Sequence, residues 1–293
     1  MFDYVDTLAM TRQARGVAKR GRPSLARQRH EFILSEIRRA GSVRVNELAE
    51  RLDVSAMTVR RDLEHLDDSG LVIKVHGGAT ANYQRSTDEP GFAVKASRNH
   101  AEKVAIARSA AVLVGSGLAI GLTAGTTTVR LASELVAVPH LTVVTNSIPA
   151  ADVFHAVPRE DRSVILVGGE RTPSDALVGP VAVSALRNFH LDVVMMGVHG
   201  IHETAGFTTP NLLEAATNRA FIEGADQLVV LADHTKWGIT GLSTIVPLHQ
   251  ADICITDDGI TDEARMVLRD RVGHLIVTSD RLFDDEPLYR EAP

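Results

Sequence analysis

Two kinds of hydrophobic spacing divide the chain. Up to about residue 80, apolar positions recur at helical intervals in short segments; beyond residue 117 they bunch into continuous runs that alternate with helical stretches. In the first region Leu25, Phe32, Ile33, Ile37 and Ala40 form one stripe, which predicts a helix over 25–40 that Gly41 ends with a positive φ. Val43 and Val45 suit a short edge strand. Leu48, Ala49 and Leu52 mark one face of a short helix with Asn46 as its N-cap, and Asp53 and Val54 make a tight turn. Ser55 then caps a second helix whose Val59, Leu63 and Leu66 face inward. After Ser69-Gly70 the run 71–79 alternates and reaches Gly77-Gly78, predicting a β-hairpin. Residues 81–98 are polar, contain Pro90-Gly91 and read as a linker, and Ala101–Val114 reads as a helix.

From 117 on, strands are expected at 118–123, 141–145, 163–168, 192–198, 227–232, 251–256 and 274–278. Helices are expected at 127–137, 148–156, 180–189, 211–225 and 262–271. Continuous apolar strands alternating with helices predict a mostly parallel α/β sheet covered on both faces. The domain plan is therefore a basic leader over 1–24, a winged helix-turn-helix over 25–80, a linker over 81–98 and an α/β domain over 99–293. The two short helices and hairpin define the winged head. Its second helix turns Met57, Thr58 and Arg61 outward with Arg60 on the flank, and its wing carries Lys74 and His76 toward backbone phosphates.

Charge supports this reading. The formal net charge of −6 hides a surplus in residues 12–61, where 13 Lys and Arg stand against 5 Asp and Glu. Residues 91–293 carry 16 against 24. A basic segment on an acidic body suits a phosphate-binding head, although a solvated face would look alike. Arg20-Gly-Arg-Pro23 resembles the core of an AT-hook, and a non-specific basic arm is the plainer reading. No apolar run approaches the ~20 residues of a membrane helix, and no signal peptide is visible. The single cysteine, Cys254, lies in an apolar stretch and reads as a buried strand residue. A soluble cytoplasmic protein is expected.

Candidate chemistry gathers at the carboxyl ends of the predicted strands, where parallel sheets bind ligands. Thr123-Ala-Gly125-Thr126-Thr127-Thr128 follows a strand and opens a helix, so hydroxyls and helix amides can donate to an anion while Gly125 lets the backbone come close. Asn146, Gly168-Gly169, His199 and Lys236 end the next strands. His199, His202 and His234 lie near this rim without metal-ligand spacing, so no metal, cofactor or catalytic residue is assigned. Trp237 fits a site wall or a packing role equally.

The stretches Val-Ser-x-x-Thr-Val-Arg-Arg-Asp-Leu at 54–63 and Gly-Leu-Val-x-x-Val-His-Gly-Gly-Ala at 70–79 resemble the head of DeoR-family transcriptional regulators. The order Gly-Thr-Thr-Thr, Val-Thr-Asn-Ser, Gly-Gly-Glu, Val-Gly-Pro, Gly-Phe-Thr-Thr-Pro, Leu-Ala-Asp-x-x-Lys resembles that family's sensor domain, so the resemblance spans about 28–256. It implies a sensor fold related to ribose-5-phosphate isomerase and a homo-oligomer. It also implies a repressor of a carbohydrate-metabolism operon that binds double-stranded operator DNA and is modulated by a phosphorylated sugar or related metabolite. Ser55, Thr58, Arg60 and Arg61 would face DNA, Gly125–Thr128 would hold the phosphate, and Lys236 would lie against the sugar or phosphate. Thr123 and His199 stand where the family pattern commonly carries Asp, which leaves no general base to assign. Two rival readings are a sugar-phosphate isomerase-like enzyme with a DNA-binding head and a DNA binder with a vestigial sensor.

Overall fold

A computed structural model describes residues 25–40, 42–69, 71–81 and 91–279. The leader with Arg20–Pro23, Gly41 as helix stop, residues 82–90 of the linker and the tail beyond 279 lie outside the described residues. The chain divides into two compact units.

The first unit runs α1 (Leu25–Ala40), β1 (Ser42–Arg44), α2 (Val45–Leu52), α3 (Ala56–Asp68), β2 (Val72–Val75) and β3 (Gly78–Ala81). β3 lies between β1 and β2 and is antiparallel to both. Ile33, Ile37, Leu48, Val59, Leu63, Leu66 and Val72 are buried together with Val43 and Val45. Two expectations shift slightly. Val45 opens α2 rather than ending the strand, and its N–H donates to the Gly77 carbonyl at 2.9 Å. Arg44 therefore takes the N-cap place without a capping side chain, and Asn46 lies within the first turn. The α2–α3 turn follows the sequence reading, since Asp53 adopts φ 51° and closes the helix with its own N–H. Gly78 has a steric reason: a Cβ there would stand 2.0 Å from the Val43 carbonyl oxygen, so only glycine lets β1 pair with β3.

The second unit opens with α4 (Phe92–Ser97) and α5 (His100–Ala111), followed by β4 (Ala119–Leu122), α6 (Thr126–Leu135), β5 (Thr142–Thr145), α7 (Ile148–Ala156) and β6 (Ser163–Leu166). Next come β7 (Glu170–Arg171), β8 (Leu177–Val178), α8 (Pro180–Leu186), β9 (Val193–Gly197), β10 (Gly200–His202), β11 (Gly206–Thr209) and α9 (Leu212–Glu223). β12 (Leu228–Leu231), β13 (Ser243–Val246), β14 (Ile253–Asp257), α10 (Asp262–Arg271) and β15 (His274–Thr278) complete the described chain. All seven expected strands form one parallel sheet in the order β15-β14-β12-β9-β4-β5-β6. One face packs on a core containing Ile106, Leu131 and Phe154, the other on a core containing Leu186, Phe221 and Leu268. Cys254 is fully buried in β14, where burial pushes its thiol up to about 12. Among the described residues no helix is long and apolar enough to cross a membrane.

The chain builds outward from β4 to β6 and then in the opposite direction from β9 to β15. The order therefore reverses between β4 and β9, and the crevice beyond these two strands is a topological switch point, where such sheets bind ligands. Residues 91–98 depart from the linker reading. They hold α4, and the Phe92 N–H donates to the Pro173 carbonyl at 3.1 Å, which fastens this segment to the second unit. The small β7–β8 hairpin and the antiparallel trio β10-β11-β13 also escaped the sequence reading.

Candidate functional site

In the head, the Ser55 hydroxyl accepts the Thr58 N–H at 3.1 Å and bonds the Thr58 hydroxyl at 2.9 Å, the capping that the sequence predicts. Arg60 and Arg61 are exposed, Thr58 is half-buried, and His76 is exposed in the wing turn beside Gly77 at φ 80°. Lys74 is differently placed from the expectation: its ammonium pairs with Glu64 of α3, tying wing to helix. The basic surplus is partly engaged inside the head. Asp62, buried in α3, receives Arg29 Nε at 2.7 Å and Nη2 at 3.0 Å, with His30 Nε2 at 3.0 Å. Burial alone would raise the Asp62 pKa, but the Arg29 and His30 hydrogen bonds hold it below the usual carboxylate range. Arg51 bonds Glu36 at 2.6 Å and lies over the Phe32 ring. Charged residues thus fasten α1 to both helices of the motif, a role that periodicity alone does not reveal.

In the second unit, a cleft opens beyond β4, β5, β9 and β12. Gly125, Thr126 and Thr127 at the start of α6 line it together with Asn146, His199 and Lys236, so six of the eight expected residues converge on one space. Gly125 and Gly197 face each other there, and a Cβ on either would come within 3.8 Å of the other's Cα. Thr123 and Thr128 do not line the cleft. Thr123 is fully buried and its hydroxyl accepts the Gly197 N–H at 3.1 Å, bridging β4 to β9; Thr128 is fully buried and donates to the Gly125 carbonyl at 2.9 Å. Asn146 reaches the cleft with both ends of its amide engaged. It accepts from the Ala124 N–H at 2.8 Å and donates to the Leu177 carbonyl at 3.1 Å, which positions the Thr-rich turn.

Sequence reasoning missed the other walls. Lys95 of α4, Ser174 of the β7–β8 hairpin, and Glu214 and Asn218 of α9 also line the cleft. Glu214 accepts from Thr172 at 3.1 Å and Thr209 at 2.9 Å, joining three segments distant in sequence. A neighbouring recess shares Lys95, His199 and Lys236 and adds Asn99, Lys103 and Asp233. Lys103 is buried and donates to the carbonyls of Lys95 and Arg98, each at 2.6 Å; desolvation lowers its pKa to about 8. Asp233 is buried too. Desolvation alone would raise its pKa, but Lys236, Thr235 and Lys103 outweigh that and hold it below the ordinary range. Its Oδ1 accepts from Asn99 at 3.2 Å, and its buried Oδ2 has no partner among the described residues. His234 does not line the cleft; its Nδ1 pairs with Asp257 Oδ2 at 2.7 Å. Trp237 packs against the core, bridged to Ile201.

A winged helix-turn-helix joined to an α/β body with a polar cleft at its switch point defines a class: two-part DNA-binding regulators. Residues 29–85 match the DeoR-like helix-turn-helix domain, and residues 98–258 match the DeoR C terminal sensor domain. The chain is 34% identical over 234 residues to the uncharacterized HTH-type transcriptional regulator FruR of Bacillus subtilis (strain 168), covering 80% of this chain and 92% of that protein. It is 31% identical over 231 residues to the glycerol-3-phosphate regulon repressor of Escherichia coli (strain K12), covering 78% and 90%. Ribose 5-phosphate isomerase A from Methanocaldococcus jannaschii is similar over 47% of this chain and 55% of its own, at 18% identity and a TM-score of 0.35. The chain belongs to the DeoR family of DNA-binding transcriptional regulators.

Proposed function

We propose that the protein is an operator-binding repressor whose cleft takes a phosphorylated sugar or polyol, and that effector binding releases the DNA. One observation carries this reading: the first turn of α6, with Thr126 and Thr127, converges with the Lys236 side chain on a single cleft. Unpaired helix amides and an ammonium suit a phosphate group. The adjoining recess, lined by Asn99 and Asp233 among others, supplies polar groups for a ligand's hydroxyls. The E. coli relative's name, a glycerol-3-phosphate regulon repressor, points to the same ligand class. The repressor works in the cytoplasm as a homo-oligomer, because two heads at fixed separation are what a palindromic site requires.

A thermal-shift screen of phosphorylated sugars and polyols tests the reading. An effector at 100 times its Kd adds about 2.7 kcal/mol of stability and releases operator DNA at matching concentrations. Lys236→Ala is expected to abolish both responses while leaving DNA affinity unchanged. A panel without a single stabilising phosphate ester, or a Lys236→Ala protein that responds at the original concentration, would overturn it.

A further inference from the structure

The recognition helix α3 presents two opposed stripes at helical spacing. Val59, Asp62, Leu63 and Leu66 are buried, whereas Met57, Arg60, Arg61 and Glu64 are all exposed. Three of the exposed four are charged, and Glu64 holds Lys74 of the wing. Met57 is the exception: at 56% it is the most exposed large apolar side chain among the described residues of the head. It stands in the first turn of α3, the part of a recognition helix whose side chains reach base edges in the major groove. That turn is held by the Ser55 cap, which also engages the Thr58 hydroxyl.

We propose that Met57 is a sequence-reading residue whose ligand is the 5-methyl group of a thymine. Among the four bases only thymine shows a methyl group in the major groove, and an apolar side chain is its natural contact. An unbranched thioether adapts its shape to such a surface without a fixed rotamer. The neighbouring guanidinium groups of Arg60 and Arg61 serve phosphates or guanine edges instead. Each half-site therefore carries a thymine under the first turn of α3. This inference rests on the operator-binding reading above.

Binding sequences are first selected from random double-stranded DNA with the full-length protein at fixed salt. Each thymine of the selected site is then replaced in turn by deoxyuridine, which removes the methyl group and preserves pairing. In wild type, one thymine per half-site is expected to lose about fourfold in affinity on replacement, the worth of one buried methyl group. Met57→Ala abolishes that loss at that thymine alone, and Met57→Leu retains part of it. Arg61→Ala lowers affinity overall and keeps the thymine effect. Met57 is exposed, so an unchanged circular-dichroism melt is expected and confirms that the variants fold. Equal deoxyuridine sensitivity in wild type and Met57→Ala at every thymine would overturn the proposal while leaving the operator reading intact. Recovery of no preferred sequence would overturn both.

Discussion

Replacing Asp62 by Asn tests whether buried charge fastens the head together. The carboxylate accepts two hydrogen bonds from Arg29 and one from His30, and its side chain is 8% exposed against 20% for Arg29. Asparagine keeps one acceptor oxygen and turns an amide donor toward a guanidinium, so the change breaks a mostly buried ion pair. Hydrogen bonds to charged groups are worth roughly 1.5–3 kcal/mol each and do not simply add, so a loss of about 3 kcal/mol is expected. A head of this size holds only roughly 3–8 kcal/mol in total, which makes the loss a large fraction. Hydrogen exchange on the full chain should show earlier opening of α1 and α3 amides, with strands β4, β9 and β12 unaffected. A double-mutant cycle with Arg29→Ala should give a coupling of about 2 kcal/mol. The sign with pH follows from the lowered pKa. The contribution is present at neutral pH and is lost as pH falls below about 4, through the folded-state pKa. Asp62→Asn should flatten that acid limb. A coupling under ~0.5 kcal/mol, with an unchanged acid limb, would refute the fastening role.

Other consequences are equally direct. Gly78→Ala places a Cβ against the Val43 carbonyl and should cost the head about 1–3 kcal/mol or more, read as weakened operator binding and faster exchange in β1. Thr123→Val is isosteric but leaves the Gly197 N–H without its acceptor, so thermal unfolding of the sensor domain should show a loss of about 1–3 kcal/mol. For His234, burial would lower the pKa, but the Asp257 hydrogen bond and charge outweigh it and raise it. That stabilisation is fully present below about pH 6.5 and disappears as pH rises through the folded-state value. Asp257→Asn should remove this pH dependence from melting curves taken between pH 5.5 and 8.5.

The parts legible in the sequence are those where one physical period dominates. Seven strands and six helices of the second unit could be read because every strand is a continuous apolar run and each helix shows its own spacing. The five inner strands are buried on both faces, and the edge strands β6 and β15 are more exposed. The head could be read because Val59, Leu63 and Leu66 alternate with the exposed stripe of α3. The failures have physical causes too. α4 is one and a half turns long and follows Pro90-Gly91, so polarity and turn residues outweighed its weak helical signal. The strands β10 and β11 are rich in glycine and threonine and pair with each other and with β13, outside the main sheet. Asp62 and Lys103 sit buried through partners 33, 8 and 5 residues away, and charge in a sequence suggests surface until those partners are placed. In the cleft, the strand-end residues were predictable from topology. Glu214 and Lys95 were not, because their nearness to Thr126 depends on how distant segments fold over the sheet. The position of Thr123 at a strand end suggests a ligand group, whereas its hydroxyl serves the strand beside it.

The bond between Lys74 and Glu64 bears on the thermodynamics of DNA association. A lysine that docks on a phosphate ordinarily displaces cations condensed on the duplex, and each such contact adds about 0.9 to the slope of log affinity against log salt. Lys74 already carries a counter-ion built into the protein. To reach a phosphate it must leave Glu64, which then stays behind as a bare carboxylate on the exposed stripe of α3, so the pair adds close to nothing to the net ion release. The head's grip on DNA is therefore expected to be less sensitive to ionic strength than its number of basic side chains suggests, and the Lys74–Glu64 pair ties the wing to α3.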